Sequence, residues 1–361
     1  MNILVIIAAY NRPDSLSRLL GSMGVLPSQF KLVVSIDGNG DEQIQGIAKQ
    51  FNAEIIQQPK RLGLKEHILF CINEGLKYDA VVVLEDDLYL ANTWTSYIET
   101  SLYFYSAHPD IAAISLYNQA YHPLTEFPFT PIDNGSDVWM ARYPSSSGFM
   151  MTQAQAKNFI EWMKHHSPIE SYCLPQAIKK WPAHSWKKWM AAYLSDSKKY
   201  IIYPRISLST NYGDIGKNHQ RHSTHFQSAL ALAKNNWKYI SVEDSVARYD
   251  EWLEYIPFDS DISFNIYGQK SRTDIHTKYT VIDYILPQAL QSFGKDLKPP
   301  EMNYIRQTNG KELWLVETIY ISEDTTPKNM LVKKWADYFY IITSARVWWK
   351  YIINKIFERL N

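Results

Sequence analysis

The chain has 361 residues, enough for one large core or a catalytic domain with an appendage, and its 37 Lys+Arg balance 37 Asp+Glu to a formal net charge of +0. No global excess of positive charge points to nucleic acid or another polyanion. Aromatic residues make up 14%, with 12 Trp and 25 Tyr, a share that suits a large core and also the binding of flat apolar sugar faces.

"MNILVIIAAYNRP" opens the chain without the basic region or the length of a signal peptide, and its apolar run stops at Asn11 and Pro13, so it reads as a first strand. "RPDSLSRLLGSM" follows as a helix with Leu16, Leu19 and Leu20 on one face. "KLVVSIDG" is a second strand ended by Gly38 and Gly40, and "DEQIQGIAKQF" a second helix. "AEIIQQP" is a third strand, "KEHILFCINEGL" a third helix and "AVVVLEDD" a fourth strand. Strand and helix in strict turn predict right-handed crossovers and an α/β, Rossmann-like fold with a mostly parallel central sheet flanked by helices. Ligands of such sheets sit at the carboxyl ends of the strands.

Three polar clusters fall at those ends: Tyr10 with Arg12, Asp37 with Asn39, and the trio Glu85, Asp86 and Asp87. No Gly-x-Gly-x-x-Gly follows the first strand and no Gly-x-x-x-x-Gly-Lys occurs, which counts against a dinucleotide oxidoreductase and a P-loop NTPase. Adjacent carboxylates after a buried strand repel one another and resist burial, so a cation is expected there. Mn²⁺ and Mg²⁺ prefer oxygen ligands and often bind through one or two carboxylates plus substrate phosphates. Such a metal would neutralise a diphosphate leaving group. The competing reading is that Glu85 and Asp86 cap the next turn or helix.

Beyond Asn92 the alternation ends. A helix over 94–108 leads to the strand "IAAISLYN" and then to the loop "HPLTEFPFTPIDNGSDVWMARYPSSSG", whose length suits a binding loop or lid. "FMMTQAQAKNFIEWMKHH" and "SWKKWMAAYLSD" read as helices and "YIIYPRISLST" as a strand. In the following "NYGDIGKNHQRHSTHF", Gly213 and Gly216 with Lys217, His219, Arg221, His222 and His225 predict a flap that brings cations to a phosphorylated ligand. Three domains are expected: 1–234 catalytic, 235–327 irregular and aromatic-rich, and 328–361 a basic amphipathic helix. That helix carries Leu331, Trp335, Tyr338, Ile342 and Trp349 on one side, and either packs on the body or lies at a membrane surface. Cys71 and Cys173 lack metal-ligand spacing and read as reduced thiols of a cytoplasmic protein. No segment is apolar for long enough to span a bilayer.

In their order and spacing these motifs resemble the GT-A class of nucleotide-sugar glycosyltransferases, within it the N-acetylglucosaminyltransferase I family and its bacterial relatives. The likeness covers about the first two thirds of the chain, to His225. It implies that Arg12 contacts the nucleotide, Asp37 the uridine and His67 the base. It further implies that "LEDDLYL" is the family's Glu-Asp-Asp metal motif, in which Asp87 ligates Mn²⁺ (or Mg²⁺) while Glu85 and Asp86 lie against the ribose, the sugar or the metal's waters. "YPSSSGFMM" is similar to the segment beside the donor sugar, which places Gly148 and Phe149 there. The expected activity is inverting transfer from a UDP-sugar, N-acetylglucosamine first, to a saccharide or lipid-linked saccharide. A bacterial surface glycan made at the inner face of the cytoplasmic membrane is the expected setting.

The chain departs from the family at one point. "KWPAHSWKKWM" is similar to the family's Lys-Trp-Pro and Trp-Asp-Asp-Trp-Met segment, which supplies the carboxylate base, yet Lys187 and Lys188 stand between Trp186 and Trp189. Either another residue serves, with Asp137 and His184 as nearby candidates, or the register of the likeness slips, or the chain binds nucleotide-sugar or glycan without transferring it. A sugar nucleotidyltransferase would share metal and sheet but carries a Gly-rich basic loop where this chain has "AAYNRP".

Overall fold

β1 (Ile3–Ala9) is buried at every position in the computed structural model, which describes residues 1–214 and 224–322. The flap residues Gly216, Lys217, His219, Arg221 and His222 and the tail helix 328–361 lie outside the described residues. After β1 come α1 (Pro13–Ser22), β2 (Phe30–Ile36), α2 (Glu42–Gln50), β3 (Glu54–Gln57), α3 (Leu64–Glu74) and β4 (Ala80–Glu85). β1 pairs in parallel with both β2 and β4, and β2 with β3. A parallel strand covered on both faces needs apolar residues throughout, which is why "ILVIIAA" and "AVVVL" show no alternation. Pro13 opens α1, where its missing N–H costs nothing, and Leu16, Leu19 and Leu20 are buried as their spacing predicts.

The second half follows as β5 (Leu88–Leu90), α4 (Trp94–Tyr105), β6 (Ile111–Ser115), β7 (Val138–Ala141), β8 (Phe149–Thr152), α5 (Gln153–His165), α6 (Gln176–Lys179), α7 (Trp186–Ser197), β9 (Tyr200–Pro204), β10 (Ser209–Asn211) and β11 (Arg248–Tyr249). The main sheet has nine strands in the order β11-β7-β9-β6-β8-β4-β1-β2-β3, while β5 and β10 form a separate antiparallel pair. β8 runs antiparallel to both of its neighbours, β4 and β6.

Three sequence expectations change here. "FMMT" is a strand rather than the start of a helix: Thr152 and Gln155 form a reciprocal capping box, so the helix begins only at Gln153 and Phe149–Thr152 is free to fill the gap between β4 and β6. "VWMA", placed in a long loop, is β7, because its four residues are all buried against β9. "YIIYPRISLST" divides into β9 and β10, which join different sheets.

The chain forms two compact units, one of Met1–Ala120 with Phe129–Phe258, the other of Tyr121–Pro128 with the residues from Asp259 onward. Residues after 234 still belong to the first unit: Trp237 and Tyr239 pack on Tyr97 of α4 at ring distances of 4.9 and 6.2 Å. In the second unit β12 (Ile262–Asn265), β13 (Tyr279–Ile282), β14 (Gln291–Phe293) and β15 (Leu313–Glu317) build a four-stranded sheet in the order β12-β13-β15-β14, with α8 (Glu301–Ile305) between β14 and β15 in the chain. Its interior gathers Ile275, Ile282, Tyr284, Leu286 and Val316. Among the described residues no helix is long and apolar enough to cross a membrane.

Candidate functional site

The strand order sets the residues of the first unit along one edge. Reading from β2 through β1 and β4 to β8, the carboxyl edge presents Asp37, then Arg12, then Glu85, Asp86 and Asp87, then Gly148. The first four strands bring their polar ends together because all four run in the same direction.

Asp37 is buried and accepts from two backbone amides, Leu62 at 2.6 Å and Gly63 at 3.0 Å, so the chain leaving β3 fixes both carboxylate oxygens. The approach is close enough that Gly38, at φ 65°, has the Arg61 nitrogen 2.5 Å from where a Cβ would stand. His67 lies below this edge, buried, with Nε2 sharing a hydrogen bond of 2.8 Å with Ser35 Oγ. Burial lowers its pKa, and nearby Asp37 only partly offsets that. Ser35 engages only Nε2 of the buried ring.

Arg12 occupies the acid cluster. Its guanidinium donates to Asp87 Oδ2 at 2.8 Å and to Asp86 Oδ1, and Asp86 Oδ2 also accepts from the Tyr10 amide at 3.4 Å. Burial works against the guanidinium's charge, but Asp86 and Asp87 together outweigh it and hold its pKa above the ordinary value. Burial pushes Asp86 up to about 6, with Arg12 opposing. Glu85 is pushed up to about 8, by burial first and by repulsion from Asp87 second. The trio is therefore unequal: Glu85 holds a proton through much of the neutral range.

Asp87 is the residue with spare capacity. Its Oδ2 takes Arg12, while its Oδ1 is buried and has no hydrogen-bond partner among the described residues. An orphaned carboxylate oxygen in a buried site is costly unless something binds it. Among the described residues no three His, Cys, Asp or Glu are grouped to hold a metal. One free carboxylate oxygen does fit a hard cation whose remaining ligands are phosphate oxygens and water.

On the other flank Gly148, at φ 85°, precedes β8, and a Cβ there would stand 3.1 Å from both Leu84 and Leu116. Phe149, paired with Val83 of β4, packs its ring at a tilt on Trp186 at 5.0 Å and so docks the start of α7 beside the acid cluster. The two lysines there have different fates. Lys188 is buried and donates to the carbonyls of Lys179 at 2.8 Å and Trp181 at 2.9 Å, tying α7 to the end of α6. Lys187 is half-buried, lies over the Trp181 ring at 5.3 Å and faces Glu85; burial lowers its pKa and Glu85 partly restores it.

The two base candidates are not brought to the cluster alike. Asp137 precedes β7, four strands from β4 in the sheet order, which is about 19 Å at ~4.8 Å per strand. It is also engaged, with Lys234 at 2.9 Å and the Lys238 amide at 2.7 Å. His184 is exposed on the turn that leads into α7.

Sequence reasoning missed two contributors. Arg61 lies over the Tyr10 ring at 4.3 Å, beside Asp37 and Arg12. Asp214 accepts from Ser15 Oγ at 2.6 Å and from Arg18, while the Tyr212 amide donates to the Asp87 carbonyl at 3.0 Å, so the chain leaving β10 is anchored beside the metal candidate. No local pattern reveals this pairing, because it joins residues 199 positions apart.

No protein-family model and no curated protein matches the chain. Among solved structures, S. aureus TarS 1–349 in complex with UDP-GlcNAc is 15% identical at a TM-score of 0.41, over 61% of this chain and 60% of that one. Mannosyltransferase PcManGT from Pyrobaculum calidifontis, in complex with GDP-Man and Mn²⁺, is 11% identical at 0.32, over 45% and 46%. Glucosyl-3-phosphoglycerate synthase from Mycobacterium tuberculosis, in complex with Mn²⁺, UDP and glucosyl-3-phosphoglycerate, is 17% identical at 0.27, over 32% and 43%. The chain thus spans less than two thirds of each of these structures, and likenesses of this degree establish neither a family nor an activity.

Proposed function

We propose that this chain is a metal-dependent GT-A glycosyltransferase that moves a sugar, N-acetylglucosamine first, from a UDP-sugar to a saccharide acceptor with inversion. The observation that carries the reading is Asp87: a buried carboxylate with one oxygen unpaired, beside an arginine, at the carboxyl edge of a parallel sheet. Asp87 would hold Mn²⁺ or Mg²⁺, and the cation would neutralise charge on the diphosphate leaving group. Arg12 offers the same guanidinium to that diphosphate, and Asp37, held by the Leu62 and Gly63 amides, is preorganised to accept from a nucleoside. Gly148, packed close against Leu84 and Leu116, would put backbone rather than a side chain beside the bound sugar. Of the two base candidates, His184 is the one on the α7 side and is the proton acceptor in this reading.

Calorimetric titration of UDP with and without Mn²⁺, on wild type and Asp87→Asn, tests the site. Affinity indifferent to both metal and substitution would end the metal assignment. Transfer assays over a panel of UDP-sugars then test the enzyme. Binding without transfer or donor hydrolysis would leave the alternative, a nucleotide-sugar-binding protein of the same fold that has lost its base. We place the reaction at the inner face of the cytoplasmic membrane, on a lipid-linked saccharide of a bacterial surface glycan. Flotation with anionic vesicles, comparing the full chain with one ending at residue 327, checks this: equal flotation of the two removes the membrane contact.

A further inference from the structure

Asp87 is held from two directions, and both lead back to α1. Arg12, the residue just before that helix, donates to Asp87 Oδ2 at 2.8 Å. The main chain is held by a longer route. β5 pairs antiparallel with β10, Leu88 opposite Asn211, and one step further the Tyr212 amide donates to the Asp87 carbonyl at 3.0 Å. The first two turns of α1 grip this end of the ribbon: the Arg18 guanidinium lies 3.7 Å from the centre of the Tyr212 ring and donates to Asp214, which also accepts from Ser15 Oγ at 2.6 Å. Gly213 makes the turn between them at φ 72°, its amide closed on Asn211 Oδ1 at 2.7 Å.

Only two side-chain torsions separate the oxygens of an aspartate from its backbone, so fixing one oxygen and the main chain leaves the other oxygen little freedom. Asp87 Oδ1, without a partner among the described residues, is thereby aimed before any cation arrives. The grip is not what holds the fold together. α1 is anchored by Leu16, Leu19 and Leu20 and β5 by Leu88 and Leu90, all buried in the core. Asp214 and Arg18 keep 21% and 25% of their side chains exposed, and ion pairs that reach solvent add little stability.

We infer that Asp214 is a positioning residue for the cation-binding carboxylate: clamped by Ser15 and Arg18, it keeps Tyr212 on the Asp87 carbonyl and so raises the affinity of the site for Mn²⁺ beside a nucleoside diphosphate. The inference rests on the function proposed above and deepens it, because it assigns control of the metal site to a residue that does not touch the metal. Groups that orient a metal's ligands are worth roughly 10- to 100-fold in metal affinity. Linkage makes the effect reciprocal, so the bound cation also tightens the clamp.

The test uses the full chain, titrated with Mn²⁺ at saturating UDP, together with amide hydrogen exchange at Tyr212 with UDP alone and with UDP plus Mn²⁺. In wild type the cation should slow that exchange. Asp214→Ala should melt close to the wild-type temperature and bind UDP as wild type does without metal, yet need about tenfold more Mn²⁺ or beyond and lose the slowing. Asp214→Asn, which keeps an oxygen to accept from Ser15, should lose less. Arg18→Met should reproduce part of the loss, and joined to Asp214→Ala it should add less than its own effect. Unchanged Mn²⁺ affinity in Asp214→Ala overturns the inference. So does an equal loss of metal-free UDP affinity, or a large drop in melting temperature in both Asp214 variants, since either marks general damage. A wild type indifferent to Mn²⁺ overturns the function proposed above and the inference with it, whereas a metal-responsive wild type with an unresponsive Asp214 overturns the inference alone.

Discussion

The two flanks of the acid cluster are built on opposite terms. On the β1 and β2 flank the charges are answered within the protein: Asp37 by two amides, Asp86 by Arg12 and the Tyr10 amide. On the α7 flank Lys187 faces the same cluster with no hydrogen-bond acceptor among the described residues. Between them Asp87 is half of each kind, one oxygen bonded and one without a partner among the described residues. A flank that is already satisfied holds its geometry before any ligand arrives, whereas an unsatisfied group is completed by the ligand and discriminates among ligands.

The contrast breaks most visibly at Trp186, whose ring on Phe149 docks α7. Trp186→Ala should lower stability by about 3–5 kcal/mol, read by denaturant unfolding. A stability unchanged from wild type would show that this ring contact does not hold α7 in place. Asp87→Asn should reduce transfer on the order of 10²- to 10³-fold, or ~3–4 kcal/mol, as expected for loss of a charge-stabilising group. It should also remove the metal dependence of UDP affinity.

The lysine pair sharpens the comparison on one flank. Lys188→Met strands the Lys179 and Trp181 carbonyls and should cost about 1–3 kcal/mol of stability, whereas Lys187→Met should move it by no more than about 0.5 kcal/mol. A slope with pH is also expected. Glu85 rises from an ordinary 4.5 to about 8 in the folded chain, so between those values the folded state binds more protons than the unfolded one. Stability should therefore fall as pH rises through that window. Thermal melts of wild type should show the decline, and Glu85→Gln should flatten it.

The parallel half of the sheet was legible in the sequence because each step in it is local. Apolar runs mark β1, β2 and β4, and Pro13 and the Leu16, Leu19, Leu20 spacing mark α1. The antiparallel insertions were not: "FMMT" and "VWMA" are four residues each, too short for a period to declare itself, and their strand character comes from neighbours distant in sequence. The site divides in the same way. Arg12, Asp37 and the acidic trio stand at strand ends that periodicity locates, whereas the inward turn of His67 toward Ser35 depends on how α3 lies against β2.

By itself the sequence determined the alternating α/β order, the edge at which polar residues collect, and the need for a cation beside three adjacent carboxylates. Those follow from hydrophobic period and charge, which are properties of short windows. Only the tertiary structure decided that Arg12 already meets part of that need, that Asp87 keeps one oxygen without a partner among the described residues, and that of two adjacent lysines Lys188 is a tie and Lys187 lies over the Trp181 ring. The physical reason is that a charge is defined by what surrounds it. Neighbours one residue apart on a helix point in different directions, into environments assembled from distant parts of the chain.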